Sequence, residues 1–267
     1  MIELGVDTFG DVATGPDGTA VTQAQAVRDV VEQGVLADEV GLDFFGVGEH
    51  HRADFAVSAP EVVLAAVAAR TRRIRLGSAV TVLSSDDPVR VFERFATLDA
   101  ISAGRAEVIL GRGSFIESFG LFGFSLADYE VLFEEKLELF VRLLEEGPVT
   151  WRGTTRPALE GLEVFPKTER GRIPTWVGVG GSPESVVRAA RHGLPLTLAI
   201  IGAEPARFTS FVELYHRTLA EHGHEPQPVA VHMPGYIAET DEQAQDEAYP
   251  HLAAMTNAIG RERGWPA

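Results

Sequence analysis

Three short stretches combine residue types that do chemistry with spacings able to bring them together. The first is Glu49-His50-His51, a carboxylate followed by two imidazoles. A neutral imidazole exchanges protons near pH 7, so a histidine at the mouth of a site is a natural acid or base. Neighbouring side chains on extended backbone point to opposite faces, which keeps His50 and His51 from clamping one metal ion. No metal site is expected, because the chain has no cysteine and no H-E-x-x-H pair. The second stretch is Gly178-Val179-Gly180-Gly181-Ser182-Pro183-Glu184-Ser185. Glycines let backbone N–H groups approach an anion, and a helix starting there adds partial positive charge. Ser182 suits the N-cap, Pro183 the first helical position and Ser185 the third. The third stretch is Gly111-Arg112-Gly113, an arginine flanked by glycines and suited to a bidentate contact with phosphate. Alone, each loop reads equally as a capped turn or a surface ion pair; together they describe a phosphate pocket.

Such a pocket has to be a local device. The chain has 23 Lys and Arg against 39 Asp and Glu, a net charge of −16, so its overall field repels phosphate. With no Lys/Arg-rich run, it lacks the basic footprint of a nucleic-acid binder and is unsuited to an anionic membrane surface. The absence of cysteine removes disulfides, thiolate metal sites and cysteine nucleophiles, and fits a reducing cytoplasm. Met1–Phe9 has no basic leader, and no apolar run approaches the roughly 20 residues of a membrane helix. A cytoplasmic protein acting on small molecules is expected.

These stretches are carried by strands and helices in alternation. Strands are expected at Ile2–Phe9, Leu42–Glu49, Ile74–Leu83, Arg105–Leu110, Thr175–Val179, Pro195–Ile201 and Val229–Ala238. Helices follow Thr22 (to Val40, stopped by Gly41), Pro60 (to Thr71), Asp87-Pro88 (to Ser102) and Ser182 (to His192). Further helices are expected at Tyr129–Glu146, Glu204–Glu221 and from Asp241. Residues at about 111–173 interrupt the rhythm, with a short β excursion at Val149–Arg152 and Leu159–Phe165. Seven strand–helix units imply a parallel sheet, either a barrel or a doubly wound open sheet. Glu49-His50-His51, Ser84-Ser85-Asp86-Asp87, Gly111-Arg112-Gly113 and Gly180-Gly181-Ser182 all follow strand C-termini. Sites assembled from several βα loops are the habit of barrels, so a single (β/α) TIM-type barrel domain over 1–267 is expected.

The ordered series Gly48-Glu49-His50-His51, Gly77-Ser78-Ala79-Val80-Thr81-Val82, Asp87-Pro88-Val89-Arg90, Leu98 through Gly104-Arg105, Gly111-Arg112-Gly113, Gly180-Gly181-Ser182 and His192-Gly193-Leu194-Pro195 resembles the bacterial luciferase-like flavin-dependent monooxygenases across nearly the whole chain. The resemblance implies that His50 is the acid/base near the flavin ring and His51 its less critical neighbour. It places the flavin phosphate on Arg112, Gly180, Gly181, Ser182 and Ser185, and a non-proline cis peptide at Ala79–Val80 against the ring. Gly111, also a cofactor-site position, stands where luciferase has a reactive cysteine, which argues against light emission. The implied activity is a two-component monooxygenase taking reduced FMN from a separate flavin reductase, with oxygen and a small organic substrate. An F420-dependent oxidoreductase or a non-catalytic flavin-binding subunit are the alternatives. Phe9, Phe55, Phe115, Phe119 and Phe122 are expected either to wall the substrate pocket or to pack as a lid.

The same family continues past Arg263-Gly264-Trp265-Pro266 with an eighth strand and helix. An incomplete barrel is therefore expected, with the first and seventh strands as edges and the gap covered by a homodimer partner or by residues outside this sequence.

Overall fold

The computed structural model describes residues 2–263 except 16, 17, 114, 202 and 203. Ser114 and the stretch 264–267 lie outside the described residues. Seven parallel strands form one curled sheet: β1 (Gly5–Thr8), β2 (Phe44–Val47), β3 (Arg75–Val82), β4 (Ala106–Gly111), β7 (Thr175–Val179), β8 (Leu196–Ala199) and β9 (Val229–His232), in that spatial order. The helices between them are α1 (Gln23–Val40), α2 (Pro60–Ala68), α3 (Pro88–Ser102), α4 (Glu117–Phe122), α5 (Tyr129–Leu143), α6 (Pro183–Arg191), α7 (Thr209–Glu221) and α8 (Asp241–Arg263). β5 (Val149–Trp151) and β6 (Leu159–Leu162) pair antiparallel outside the sheet, as the excursion required.

The sheet is an open partial barrel. β1 and β9 stand at its two edges with no backbone ladder between them. Ile2, Leu4 and Val6 at one edge and Val231 and Met233 at the other are exposed, as apolar side chains are when a neighbouring strand is missing. Asp7 of β1 nevertheless reaches across the gap to His232 of β9, with 2.7 Å between Oδ2 and Nδ1.

Element boundaries follow local chemistry. Thr22 Oγ1 accepts from Gln25 N at 3.1 Å to cap α1, and Gly41 ends it in the left-handed region at φ 87°. Asp87 accepts from Val89 N at 2.9 Å, and Pro88 takes the first turn of α3, where its missing N–H costs nothing. The expectations fail where the signal is short. β1 and β9 are four residues each rather than eight or ten; β9 stops ahead of Pro234-Gly235, while β1 begins only at Gly5. The Gly/Phe-rich stretch after β4 contains α4, too brief to show a helical period. Residues 204–221 divide into a 3-10 turn at Pro205–Phe208 and then α7.

The core lies between sheet and helices and includes Leu64, Val67, Phe92, Phe95, Leu110, Phe140 and Val177. Beneath it, the Arg105 guanidinium ties three elements together. It donates to Ser102 O (2.8 Å), Ile74 O (2.8 Å), Ala68 O (3.1 Å), Thr71 O (3.1 Å) and Thr71 Oγ1 (3.0 Å). These include the last carbonyls of α2 and α3, which have no partner within their own helices. Only a planar fork serves five acceptors at once, so Arg105→Lys should destabilise the fold by about 2–4 kcal/mol. Denaturant unfolding of the variant measures this; an unchanged midpoint would show the fork is dispensable.

Candidate active site

A cleft opens at the C-terminal ends of the strands. Its lining includes Phe9, Glu49, His50, Ala79, Val80, Ile109, Gly113 and Gly178, together with Asp7, Thr197 and His232. The peptide between Ala79 and Val80 is cis. Val80 packs where neighbouring strands carry no side chain: a Cβ on Gly111 would lie 2.5 Å from Val80 Cγ2, and one on Gly178 would lie 2.9 Å from Cγ1. Gly111 thus stands behind Val80 rather than in the cleft, and Gly113 is the glycine of its loop that reaches the wall.

His50 is held at the end of β2 by its backbone N–H donating to Val57 O at 2.9 Å. Its ring sits among Phe9, Phe55 and Phe115, at centroid distances of 4.7, 4.6 and 5.5 Å. Nδ1 is buried without a hydrogen-bond partner. Burial in this cage pushes the imidazole down to about 4, with Asp54 opposing and Arg52 and His51 adding to the effect. His50 is therefore neutral at ordinary pH, with its buried Nδ1 lacking a protein partner. His51 shares with His50 the lining of a smaller recess next to the cleft. Its Nε2 meets Glu49 Oε1 at 2.9 Å and its ring lies 5.1 Å from Phe122; Glu117 and Ser118 also line the recess. The other Glu49 oxygen accepts from Val82 N at 2.8 Å, pinning the histidine loop to β3. Of the five phenylalanines, Phe9 lines the cleft and Phe115 the recess, while Phe55, Phe119 and Phe122 line neither, Phe119 being buried against Tyr129 (5.6 Å).

The Arg112 loop and the Gly180–Ser185 turn converge. One Arg112 nitrogen donates to Ser185 Oγ at 3.0 Å, and Ser182 Oγ lies 3.1 Å from Ser185 Oγ. Ser182 also caps α6 by accepting from Ser185 N at 3.2 Å, with Pro183 next. At Gly180 and Gly181 an added Cβ would meet nothing within 4 Å, so bare backbone faces open space there. Arginine, two hydroxyls and a bare glycine turn at a helix N-terminus suit a phosphate-bearing group. Sequence reasoning missed Glu130, which pairs with the second arm of Arg112 and, at 2.9 Å, with Arg188. The available signal was Glu130 and Glu134 one turn apart on α5; Glu134 pairs with Arg188 at 2.5 Å and also with Arg191. Asp7, Thr197 and His232 were missed as well.

The sequence matches the model of the family described as luciferase-like monooxygenase over residues 6–266. The chain belongs to that family. An N-acetyl-S-alkylcysteine monooxygenase of Bacillus subtilis is 34% identical over 68% of this chain and 53% of its own length. The alkanal monooxygenase alpha chain of Photorhabdus luminescens is 28% identical over 87% of this chain and 64% of its own. The crystal structure of monooxygenase RslO1 from Streptomyces bottropensis superposes with a TM-score of 0.82 at 26% identity, covering 97% of this chain and 82% of that one. The chain spans between 51% and 64% of the length of the first curated relatives it matches. No helix among the described residues is long and apolar enough to cross a membrane.

The cage around His50 has a pH consequence. Its folded value of about 4 lies below the ordinary 6.5, so the unfolded chain binds this proton more readily. The associated stability is complete above about 6.5 and is lost progressively as pH falls towards 4. His50 should titrate near 4 by NMR, and His50→Phe should flatten that part of the stability profile. A midpoint near 6.5 would contradict the desolvated cage.

Proposed function

We propose that the chain binds FMN in this cleft and, with reduced FMN supplied by a separate cytoplasmic reductase, uses oxygen to oxidise a small organic molecule. One observation carries the reading. Arg112 meets Ser185 beside the bare turn at Gly180–Gly181, on loops adjoining the cleft that holds His50. In a chain of net charge −16, a phosphate at this turn would add to the Ser185 contact of a guanidinium whose other arm Glu130 already pairs.

Arg112, Ser182, Ser185 and the N–H groups of Gly180 and Gly181 hold the phosphate. Ala79 and Val80 provide the apolar surface for the ring. His50, neutral and desolvated, gives or takes a proton at Nδ1 near that ring, and Phe9, Phe55 and Phe115 keep water from it. The bound flavin supplies the electrons for reducing oxygen, chemistry that belongs to the cofactor. The sequence carries no nicotinamide fingerprint, which favours a separate reductase. The exposed apolar residues on β1 and β9 favour a homodimer. An F420 phosphate would use the same donors, and His50 together with Arg112 favours an enzyme over a silent flavin-binding subunit.

FMN and F420 titrations followed by absorbance, then oxygen uptake with reduced FMN, test the proposal. Each charge-assisted hydrogen bond contributes roughly 1.5–3 kcal/mol, so Arg112→Ala should weaken binding by about tenfold to a hundredfold. Identical titration curves would remove Arg112 from the site. His50→Ala should slow turnover by about 10²–10⁴-fold with cofactor binding intact, and His51→Ala by less. The reverse ranking would exchange the two roles.

A further inference from the structure

The Asp7–His232 pair occupies a defined place in the barrel. Asp7 pairs across to Gly46 and Gly46 to Gly77; two residues on along β3 stands Ala79. Ala79 pairs to Ile109 and Ile109 to Trp176; two residues on along β7 stands Gly178. Gly178 pairs to Thr197 and Thr197 to Ala230; two residues on along β9 stands His232. An advance of one residue per strand is the stagger of a TIM barrel, whose interior fills with layers of four side chains from alternate strands. Asp7, Ala79, Gly178 and His232 are one such layer, and all four line the cleft. Alternate strands meet within a layer, so the pairing does not depend on what lies between β1 and β9.

Half of this layer is nearly empty, since Ala79 and Gly178 contribute one methyl group between them. The other half is an oriented dyad. Asp7 engages Nδ1 at 2.7 Å, which leaves Nε2 with no protein hydrogen bond among the described residues. The hydrogen bond from Asp7 raises His232 above its ordinary value, against the opposing effect of burial, favouring the imidazolium, whose Nε2 carries a proton. On the adjacent strand Thr197 is 7% exposed, lines the same cleft, and its buried Oγ1 has no partner. The charged groups lining this cleft are Asp7, Glu49 and His232, with His50 neutral beside them. A carboxylate or phosphate here would be repelled by two carboxylates, whereas an uncharged oxygen acceptor escapes that repulsion and is offered the His232 Nε2 proton and the Thr197 hydroxyl.

We infer that His232, aimed by Asp7, is a substrate-facing hydrogen-bond donor of the cleft, and that with Thr197 it holds an uncharged acceptor oxygen of a largely apolar ligand. This deepens the proposed function and rests on the cleft being a substrate site. The alternative role for the dyad is a strap between two edge strands.

The test uses the full chain labelled with ¹⁵N-histidine, free of flavin, titrated with cyclohexanone at pH 6. The His232 Nε2 resonance, assigned by its loss in His232→Gln, should shift saturably. The apparent affinity should fall about tenfold in Asp7→Ala, the loss expected for one well-placed hydrogen bond. Thr197→Val, close to isosteric, should weaken binding with the fold retained, and it stands in if Asp7→Ala does not fold. No movement of the His232 signal, or equal affinity in wild type and Thr197→Val, overturns the inference. So does a lowered Tm in Asp7→Ala and His232→Gln with cyclohexanone binding unchanged, which would make the dyad a strap alone. FMN titration is scored separately: ketone bound through His232 without FMN binding upholds this inference and overturns the flavin reading.

Discussion

The architecture of the site depends on a close approach at the top of β3. Glycines from three neighbouring elements press against the Ala79–Val80 segment. A Cβ on Gly111 or Gly178 would overlap Val80, and one on Gly48 would lie 3.0 Å from Ala79 O. Because none carries a side chain, this segment can face the cleft while the β3–β4 ladder slips between Ala79 and Thr81 and continues. Gly111 ends β4 behind Val80, which starts the Arg112 loop at the rim. Gly178 leaves room on β7, and two residues later the bare turn at Gly180–Gly181 begins. Placing a larger residue at Gly111 would displace Val80 and both loops together, since overpacking a filled interior forces backbone shifts.

Around that wall the charges are arranged locally against the protein's overall field. An acidic chain holds a cation at the rim by surrounding Arg112 and Arg188 with Glu130 and Glu134. The same network orients Arg112 towards Ser185 and competes for its second arm, so an arriving phosphate has to share the guanidinium with Glu130. Inside the cleft the two histidines are treated in opposite ways. His50, in an aromatic cage, is driven neutral; His232, on a carboxylate, is drawn towards its charged form. Environments that push two titratable groups apart are the usual means by which one site performs separate proton tasks.

Much of this was legible in the sequence where one residue type has one local use. Thr22, Asp87 and Ser182 as caps, Pro88 and Pro183 in first turns and Gly41 as a stop place three helices correctly. The loops following strand C-termini pointed to the barrel mouth, and the Arg112 and Gly180–Ser185 stretches do converge. What the sequence did not disclose is set by register across distant strands. Asp7 and His232 are 225 positions apart and meet only through the stagger of the sheet. Glu130 lies on a helix whose orientation no local pattern fixes, and α4 is too short for a period to emerge. Phe119 and Phe115 are alike in sequence context, yet one is core and the other cages His50.

Arg112 and the Gly180–Ser185 turn are proposed to cradle a phosphate beside the His50 cleft, in a chain of net charge −16. Calorimetric titration with FMN and, separately, with riboflavin tests this most directly, because the two ligands share the ring and differ in the phosphate. The account predicts that FMN binds at least about tenfold more tightly than riboflavin, as a single charge-assisted contact already requires. It also predicts that the preference shrinks as salt screens the arginine. Equal affinities for the two ligands would contradict it.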